Sequence, residues 1–145
     1  MVVIVNEENQ KPDQDFVIKS ASVTNAILSK VQHLYGDFGI AAMRSGFVTK
    51  YCNARTRVVI VRARHGPHKF ILSVLPCITS IDKRHVALHT VYTGATIRHC
   101  YNFIMEYQKR KFDEFCANLK TDEEKLELRN ILLNFDHIPG LQGQV

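Results

Sequence analysis

The chain has 145 residues, of which 46% are hydrophobic and 23% charged, and this balance predicts one soluble domain over residues 1–138 with a mobile tail at 139–145. Its apolar runs are far shorter than the ~20 residues that cross a bilayer, and its start, MVVIVNEENQ, lacks the basic region of a signal peptide. The net charge of +5 favours an anionic partner over a cationic one, and we expect neither a membrane span nor a leader.

Apolar periodicity predicts a series of alternating strands and helices along the chain. In chain order these are a strand over residues 1–5, a helix over 20–35, a hairpin of strands over 46–52 and 57–64, a helix from 66, a strand over 86–93, and helices over 94–117 and after 121. Ser20 or Ser22 can cap the first helix, and Gly36 and Gly39 end it. Pro76 lies inside the apolar stripe of the second helix and should kink or shorten it.

The order β-α-β-β-α-β is typical of a two-layer α/β (α+β) sandwich, a mostly antiparallel sheet with helices on one face and further helices at the C-terminus. Side-chain alternation divides the strand RVVIVRAR, residues 57–64, between the two faces of this sheet. The face beneath the helices takes Val59, Val61 and Ala63. The opposite face is apolar at Val58 and Ile60 and cationic at its arginine end.

A sheet face open to water should not carry large apolar side chains unless something covers it. We therefore predict that a protein partner, or the last helix, covers the apolar half of this second face. The residues assigned to that partner interface are Phe47, Tyr51, Val58 and Ile60.

Positive charge is concentrated in the middle of the chain. Residues 41–111 carry thirteen Lys or Arg and only two acids, whereas residues 1–40 and 112–145 are net acidic. A section this basic repels itself, and a polyanion, most often nucleic acid, is its natural counter-charge. Two alternatives remain open, a basic face that serves solubility and a protein-interaction module whose basic band binds acidic partners.

The predicted mode of binding is contact with the backbone of a structured RNA, because the sequence lacks the aromatic signature of RNP-type readers. The residues predicted to meet phosphate are Arg44, Arg55, Arg57, Arg62, Arg64, Lys83, Arg84 and Arg98. Arg98 stands in TGATIRHC, where free backbone N–H groups at a helix start could hold a phosphate, and an ordinary start capped near Thr96 is the alternative. A solvated face is the default for the basic run at residues 109–111.

The sequence does not predict catalysis by the chain itself. Metal-assisted phosphodiester cleavage needs several converging carboxylates, and residues 41–111 contain only Asp82 and Glu106. A metal-free ribonuclease could use paired histidines, and the spacing offers His65 with His68 or His85 with His89.

The cysteines are widely spaced and include no C-x-x-C pair, so we expect reduced thiols rather than disulfides and no metal site. They are Cys52, Cys77, Cys100 and Cys116.

Three segments carry a family resemblance, namely LYGDFGIAAMRSGFVTKYCNARTRVVIVRAR, FILSVLPCITSI and TVYTGATIRHCYNFIMEYQKRK. In order and spacing they resemble the Pop-five/Rpp-fourteen family of ribonuclease P and ribonuclease MRP subunits, over about residues 2–112. The resemblance implies an RRM-like sandwich and a non-catalytic protein bound to a catalytic RNA, which removes the 5′ leader of precursor tRNA and, in MRP, processes pre-rRNA.

The same resemblance implies the surroundings of the protein. It implies Mg²⁺ held by the RNA, neighbours of the Rpp-thirty and Rpp-fourteen type, and a nuclear, largely nucleolar location. Family members begin with a basic segment before the first strand, whereas here Met1 runs straight into residues 2–5, so no RNA contact is carried over there. Residues 116–145 support no transfer either.

Overall fold

The computed structural model describes residues 2–6, 19–53 and 56–116 and the isolated helical positions 126 and 130, with side chains placed in 19–53, 56–114, 126 and 130. The chain divides into two compact units, Met1–Thr93 and Gly94–Val145. Most of the predicted last helix, after residue 121, and the tail at 139–145 lie outside the described residues. The prediction of one domain over residues 1–138 stays a prediction. No helix within the described ranges is both long and apolar enough to cross a membrane.

The elements of the first unit follow the predicted order. They are β1 (Val2–Asn6), α1 (Ser20–Arg44), β2 (Val48–Asn53), β3 (Val58–Arg62), α2 (His68–Val74), a 3₁₀ turn (Leu75–Cys77), β4 (Ser80–Ile81), β5 (Arg84–His85) and β6 (Ala87–Tyr92). The second unit contains α3 (Ile97–Cys116). The 3₁₀ turn contains Pro76, so the prediction that this proline shortens the second helix is confirmed.

The main sheet has the strand order β2-β3-β1-β6, and every neighbouring pair is antiparallel. The strand at the start of the chain is therefore central, with Val3 opposite Val59 on one side and Thr90 on the other. β4 and β5 form a separate small antiparallel sheet. The predicted fold class, an α+β chain built on an antiparallel sheet, is confirmed.

One hydrophobic core joins α1 and α2 to a single face of the main sheet. Its fully buried members include Val23, Ile27, Val31, Val59, Val61, Ile71 and Val74. Burying each such side chain contributes roughly 1.5–3 kcal/mol to folding. Val59 and Val61 belong to this core and Ala63 packs against it, so the predicted division of β3 between two faces is confirmed for these three.

The first helix is interrupted by a bend at Gly36, where it was predicted to end, and a second helical segment follows directly and runs to Arg44. Gly36 has φ 59° and ψ −155°, a conformation that is almost restricted to glycine. The second helical segment forms because it buries Met43 in the core and packs Ile40 against that core. This burial stabilises the segment. The predicted end of the first helix at Gly36 is therefore confirmed, and the sequence did not predict the second helical segment beyond it.

Gly39 is buried at the inner side of this bend. A Cβ at that position would lie 2.6 Å from Cβ of Tyr35 and 2.9 Å from Cγ1 of Val31. These atoms lie close to the backbone and cannot move away cheaply, so the bend requires a residue without a side chain. The two glycines thus have different roles. Gly36 allows a backbone conformation with positive φ, and Gly39 allows close packing against Tyr35 and Val31.

The sequence missed the β4–β5 hairpin. Its turn residues, Asp82 and Lys83, both have positive φ, 49° and 65°, as a type I′ turn demands. Aspartate tolerates this conformation but lysine does not favour it, so the usual glycine signal of such a turn is absent.

The described cysteine side chains occupy three different environments. Cys52 packs against the core, Cys77 is exposed and Cys100 is buried. Burial raises the pKa of the Cys52 thiol above its ordinary value. Within the described ranges, no group of three His, Cys, Asp or Glu side chains converges as a metal site would need.

We expect Gly39→Ala to lower the free energy of unfolding by about 1–3 kcal/mol, because the added methyl group overpacks the bend. Urea denaturation of the purified full chain, followed by circular dichroism, measures this change. Gln32→Ala, at an exposed position of the same helix, is the matched control and should leave the midpoint unchanged. Equal midpoints for both variants would contradict the packing argument.

We expect iodoacetamide to alkylate Cys77 well before Cys52 in the native chain, because Cys77 is exposed and burial keeps Cys52 protonated. With a raised pKa, Cys52 keeps its proton to a higher pH in the folded than in the unfolded chain. Its modification rate should therefore still rise at a pH where a free thiol is already fully ionised. Peptide mass spectrometry over a pH series measures both rates, and a Cys52 rate equal to that of the denatured chain would refute this prediction.

Candidate nucleic-acid interface

Three predicted arginines lie on the segments that adjoin where α1 passes into β2. Arg44 lies in the last turn of α1, and its carbonyl accepts the N–H of Gly46 at 3.3 Å. Arg62 ends β3 opposite Val48 of β2, and the side chain of Arg64 lies over Gly46. All three arginines are exposed. We call Arg44, Arg62 and Arg64 the arginine corner.

Gly46 gives the side chain of Arg64 the space that it occupies in the arginine corner. Its φ is 111°, and a Cβ there would lie 3.2 Å from Cγ and 3.5 Å from Nε of Arg64. The missing side chain lets the stem of Arg64 lie against the backbone of Gly46, two residues before β2. The sequence carries no signal of this contact, because it joins positions that are distant along the chain.

No described acidic residue forms an ion pair with any member of the arginine corner. The shortage of acidic residues extends beyond the corner, since residues 19–93 carry eleven Lys or Arg but only Asp37 and Asp82 as acids. Neighbouring guanidinium groups repel each other unless anions lie between them. The corner can therefore bind several phosphate oxygens at once, as planar guanidinium groups do well.

The other predicted cations of this unit lie at different places. Arg57 precedes β3, at the opposite end of that strand from Arg62, and has a φ of 55°. Its turn is held by the side chain of Asn53, whose Oδ1 accepts the N–H of Thr56 at 3.2 Å. Arg55, in the same turn, lies outside the described residues. The hairpin turn presents Lys83 to solvent, followed by a half-buried Arg84.

Arg98 lies in the first turn of α3 and is exposed. The hydroxyl of Thr96 accepts the N–H of His99 at 3.3 Å, so this helix starts with a conventional cap. The cap uses one of the N–H groups that a phosphate would need. Contact between Arg98 and phosphate stays a prediction that rests on its exposed charge.

The basic run late in α3 is partly neutralised within the chain. Lys111 Nζ lies 2.9 Å from Oε2 of Glu114, and the hydrogen bond to this carboxylate is the main cause of the raised pKa of Lys111. Lys109 and Arg110 are exposed. This is the arrangement expected of the solvated face that we predicted.

The four residues of the predicted partner interface do not share one environment. Val58 and Ile60 are only 1% and 2% exposed. Tyr51 lies opposite Ile60, is half-buried, and its hydroxyl accepts a hydrogen bond from Nδ2 of Asn53 at 2.8 Å. Burial raises the pKa of Tyr51, although the bond from Asn53 lowers it. A role for these residues in binding a partner stays a prediction.

Phe47 is a correction to the predicted geometry, because it packs against the helix-side core rather than beside Val58. The cause is a shift in the β2–β3 register. Thr49 pairs with Val61 and Tyr51 with Ile60, so Lys50 is an extra residue in β2. This bulge reverses the alternation and puts Phe47 and Tyr51 on opposite faces of the sheet.

Two histidines stand next to the arginine corner along the chain. The ring centroids of His65 and His68 are 5.3 Å apart, and Nδ1 of His68 accepts the N–H of Gly66 at 3.1 Å. That bond holds neutral His68 with its proton on Nε2. The structure thus brings the rings of one predicted histidine pair close together.

Comparison with known proteins identifies the family. The model of the Rpp14/Pop5 family matches residues 1–105. Proteins called ribonuclease P/MRP protein subunit POP5 are similar over much of the chain. That of Danio rerio is 28% identical over 130 residues, 86% of this chain and 77% of its own length. That of Bos taurus is 37% identical over 101 residues, which cover 67% of this chain and 59% of the relative's own length. That of Homo sapiens is 32% identical over 109 residues, which cover 72% of this chain and 66% of the relative's own length. The resemblance in the sequence is confirmed, and the chain belongs to the Rpp14/Pop5 family.

Proposed function

We propose that this chain is a non-catalytic protein subunit of the ribonuclease P ribonucleoprotein, and of ribonuclease MRP, that binds and stabilises the catalytic RNA. The relatives it matches are named as ribonuclease P/MRP protein subunits, which supports the assignment to such a particle. In this role it serves removal of the 5′ leader from precursor tRNA and, through MRP, the processing of pre-rRNA.

The arginine corner is the observation that carries the RNA-binding part of the proposal. It consists of three exposed arginines, without acidic partners among the described residues, on a scaffold fixed by β3 and Gly46. Phosphates supply the missing counter-charge, and their release of bound cations supplies the driving force. Binding of this kind follows the shape and charge of the RNA backbone rather than its base sequence.

Bond breaking belongs to the RNA in this proposal. RNA phosphates hold the Mg²⁺ ions that cleave, and the protein adds counter-charge and shape.

We further propose neighbours of the Rpp-thirty and Rpp-fourteen type and a nuclear, largely nucleolar location. The alternative is a protein-interaction scaffold whose basic face binds acidic proteins, and RNA cross-links within the assembled particle distinguish the two.

We expect the double substitution Arg62→Ala and Arg64→Ala to weaken binding to transcribed ribonuclease P RNA and to flatten its salt dependence. Each lost phosphate contact lowers the slope of log K against log salt by about 0.7–0.9, so the double variant should lose roughly 1.5 units. Filter binding or fluorescence anisotropy across a salt series measures the slope with purified full chains.

Lys111→Ala is the matched control, because this lysine is exposed but already paired with Glu114. It should keep both the affinity and the slope of the wild type. A double variant that bound RNA with an unchanged slope would remove the arginine corner from the interface.

We expect the isolated chain to leave precursor tRNA intact in the presence of Mg²⁺, and the particle purified with it to remove the 5′ leader. Gel analysis of end-labelled precursor tRNA separates the two cases. Cleavage by the protein alone, abolished by His68→Ala, would establish the paired-histidine ribonuclease instead.

A further inference from the structure

Aromatic rings meet on the surface of the first unit where α1 bends. The ring of Phe70 in α2 lies 4.6 Å from that of Tyr35 and 6.2 Å from that of Phe38, measured between centroids. Phe38 is nevertheless 75% exposed, Leu34 48% and Tyr35 37%. We call Leu34, Tyr35, Phe38 and Phe70 the aromatic patch. Clustered exposed aromatic residues are typical of protein–protein interfaces.

The aromatic patch is held in place before any partner arrives. The hydroxyl of Ser73 donates to the carbonyl of Phe70 at 2.8 Å, so the hydroxyl of Tyr35 is the donor in its 2.7 Å bond to Ser73 Oγ. Gly39 lies directly against Cβ of Tyr35 on the other side. A fixed surface loses little side-chain entropy on binding, which favours affinity.

The aromatic patch differs in charge from the rest of its unit. Residues 31–40 and 70–77, bordered by Lys30 and Lys69, contain no Lys or Arg themselves. Their charged residue is Asp37, one of only two acids between residues 19 and 93. Asp37 is exposed and forms no ion pair with a described residue.

This charge pattern separates two classes of partner. An RNA backbone would find no cation among the aromatic residues and would be repelled by Asp37. A protein surface can place an apolar side chain against Phe38 and an arginine or lysine against Asp37. Exposed aromatic residues of this kind often supply most of the binding energy of an interface.

We propose that the aromatic patch and Asp37 form the docking surface for another protein subunit of the particle, one that presents apolar side chains beside an arginine or lysine. This inference rests on the proposed function, since it assumes an assembled ribonucleoprotein. It assigns protein docking to the helix layer at the α1 bend and leaves RNA binding to the arginine corner.

The test uses the full tagged chain purified with its particle from cells. Benzoylphenylalanine in place of Phe38 cross-links whatever touches the patch, and mass spectrometry identifies the partner peptide. Phe38→Ala and Asp37→Lys are then compared with wild type for the amount of each protein subunit and of the RNA. Both positions are exposed, so neither substitution should unfold the chain, and a thermal melt checks this.

We expect a cross-link to one stoichiometric protein subunit, at a peptide with apolar residues beside Arg or Lys. Both variants should lose that subunit by about tenfold or more while the RNA is retained. Val48→Ala, which trims an exposed apolar residue outside the patch, is the control and should lose nothing.

A cross-link to RNA, a cross-link to a second copy of this chain, or unchanged subunit amounts in both variants would overturn the inference. Each of these outcomes leaves the proposed function standing, because RNA still co-purifies. Wild-type chain recovered without ribonuclease P or MRP RNA would overturn the proposed function, and the inference with it.

Discussion

The packing of α1 and α2 against β3 is the constraint on which the described surfaces of the first unit depend. Val59 and Val61 anchor β3 in the helix-side core, and the strand then delivers Arg62 and Arg64 to the edge of that core. The same helices, drawn together over the strand, bring Tyr35 and Phe70 into contact. One apolar core thus positions both a cationic and an aromatic surface.

Those two surfaces have opposite electrostatic requirements. The arginine corner gathers positive charge that the described residues do not neutralise, so it is stable beside phosphate and strained by repulsion without it. The aromatic patch lacks Lys and Arg and lies next to Asp37, which forms no ion pair with a described residue. In the proposed function the chain binds RNA and protein at once, and separating the two chemistries keeps each partner from competing for the other's site.

Glycines mark the points where this architecture is tightest. Gly36 takes a backbone conformation that side chains oppose, Gly39 lets the bent helix close on Val31 and Tyr35, and Gly46 makes room for Arg64. At each position the requirement comes from a different cause. In the sequence these glycines indicated only helix ends and the start of a strand, since a glycine signals an interruption and not what lies beside it.

The sequence by itself determined the order of the main-sheet strands and the helices of the first unit, the face of β3 beneath those helices, the excess of cations and the family, because periodicity, composition and motif spacing are local properties. Tertiary structure alone decided what depends on neighbours distant along the chain. It added a second helical segment beyond the predicted helix end at Gly36, because Met43 is buried there, and the bulge at Lys50 directed Phe47 towards the core. It also brought the side chain of Arg64 over Gly46 and the ring of Phe38 to that of Phe70, since proximity in space is fixed only when the core closes.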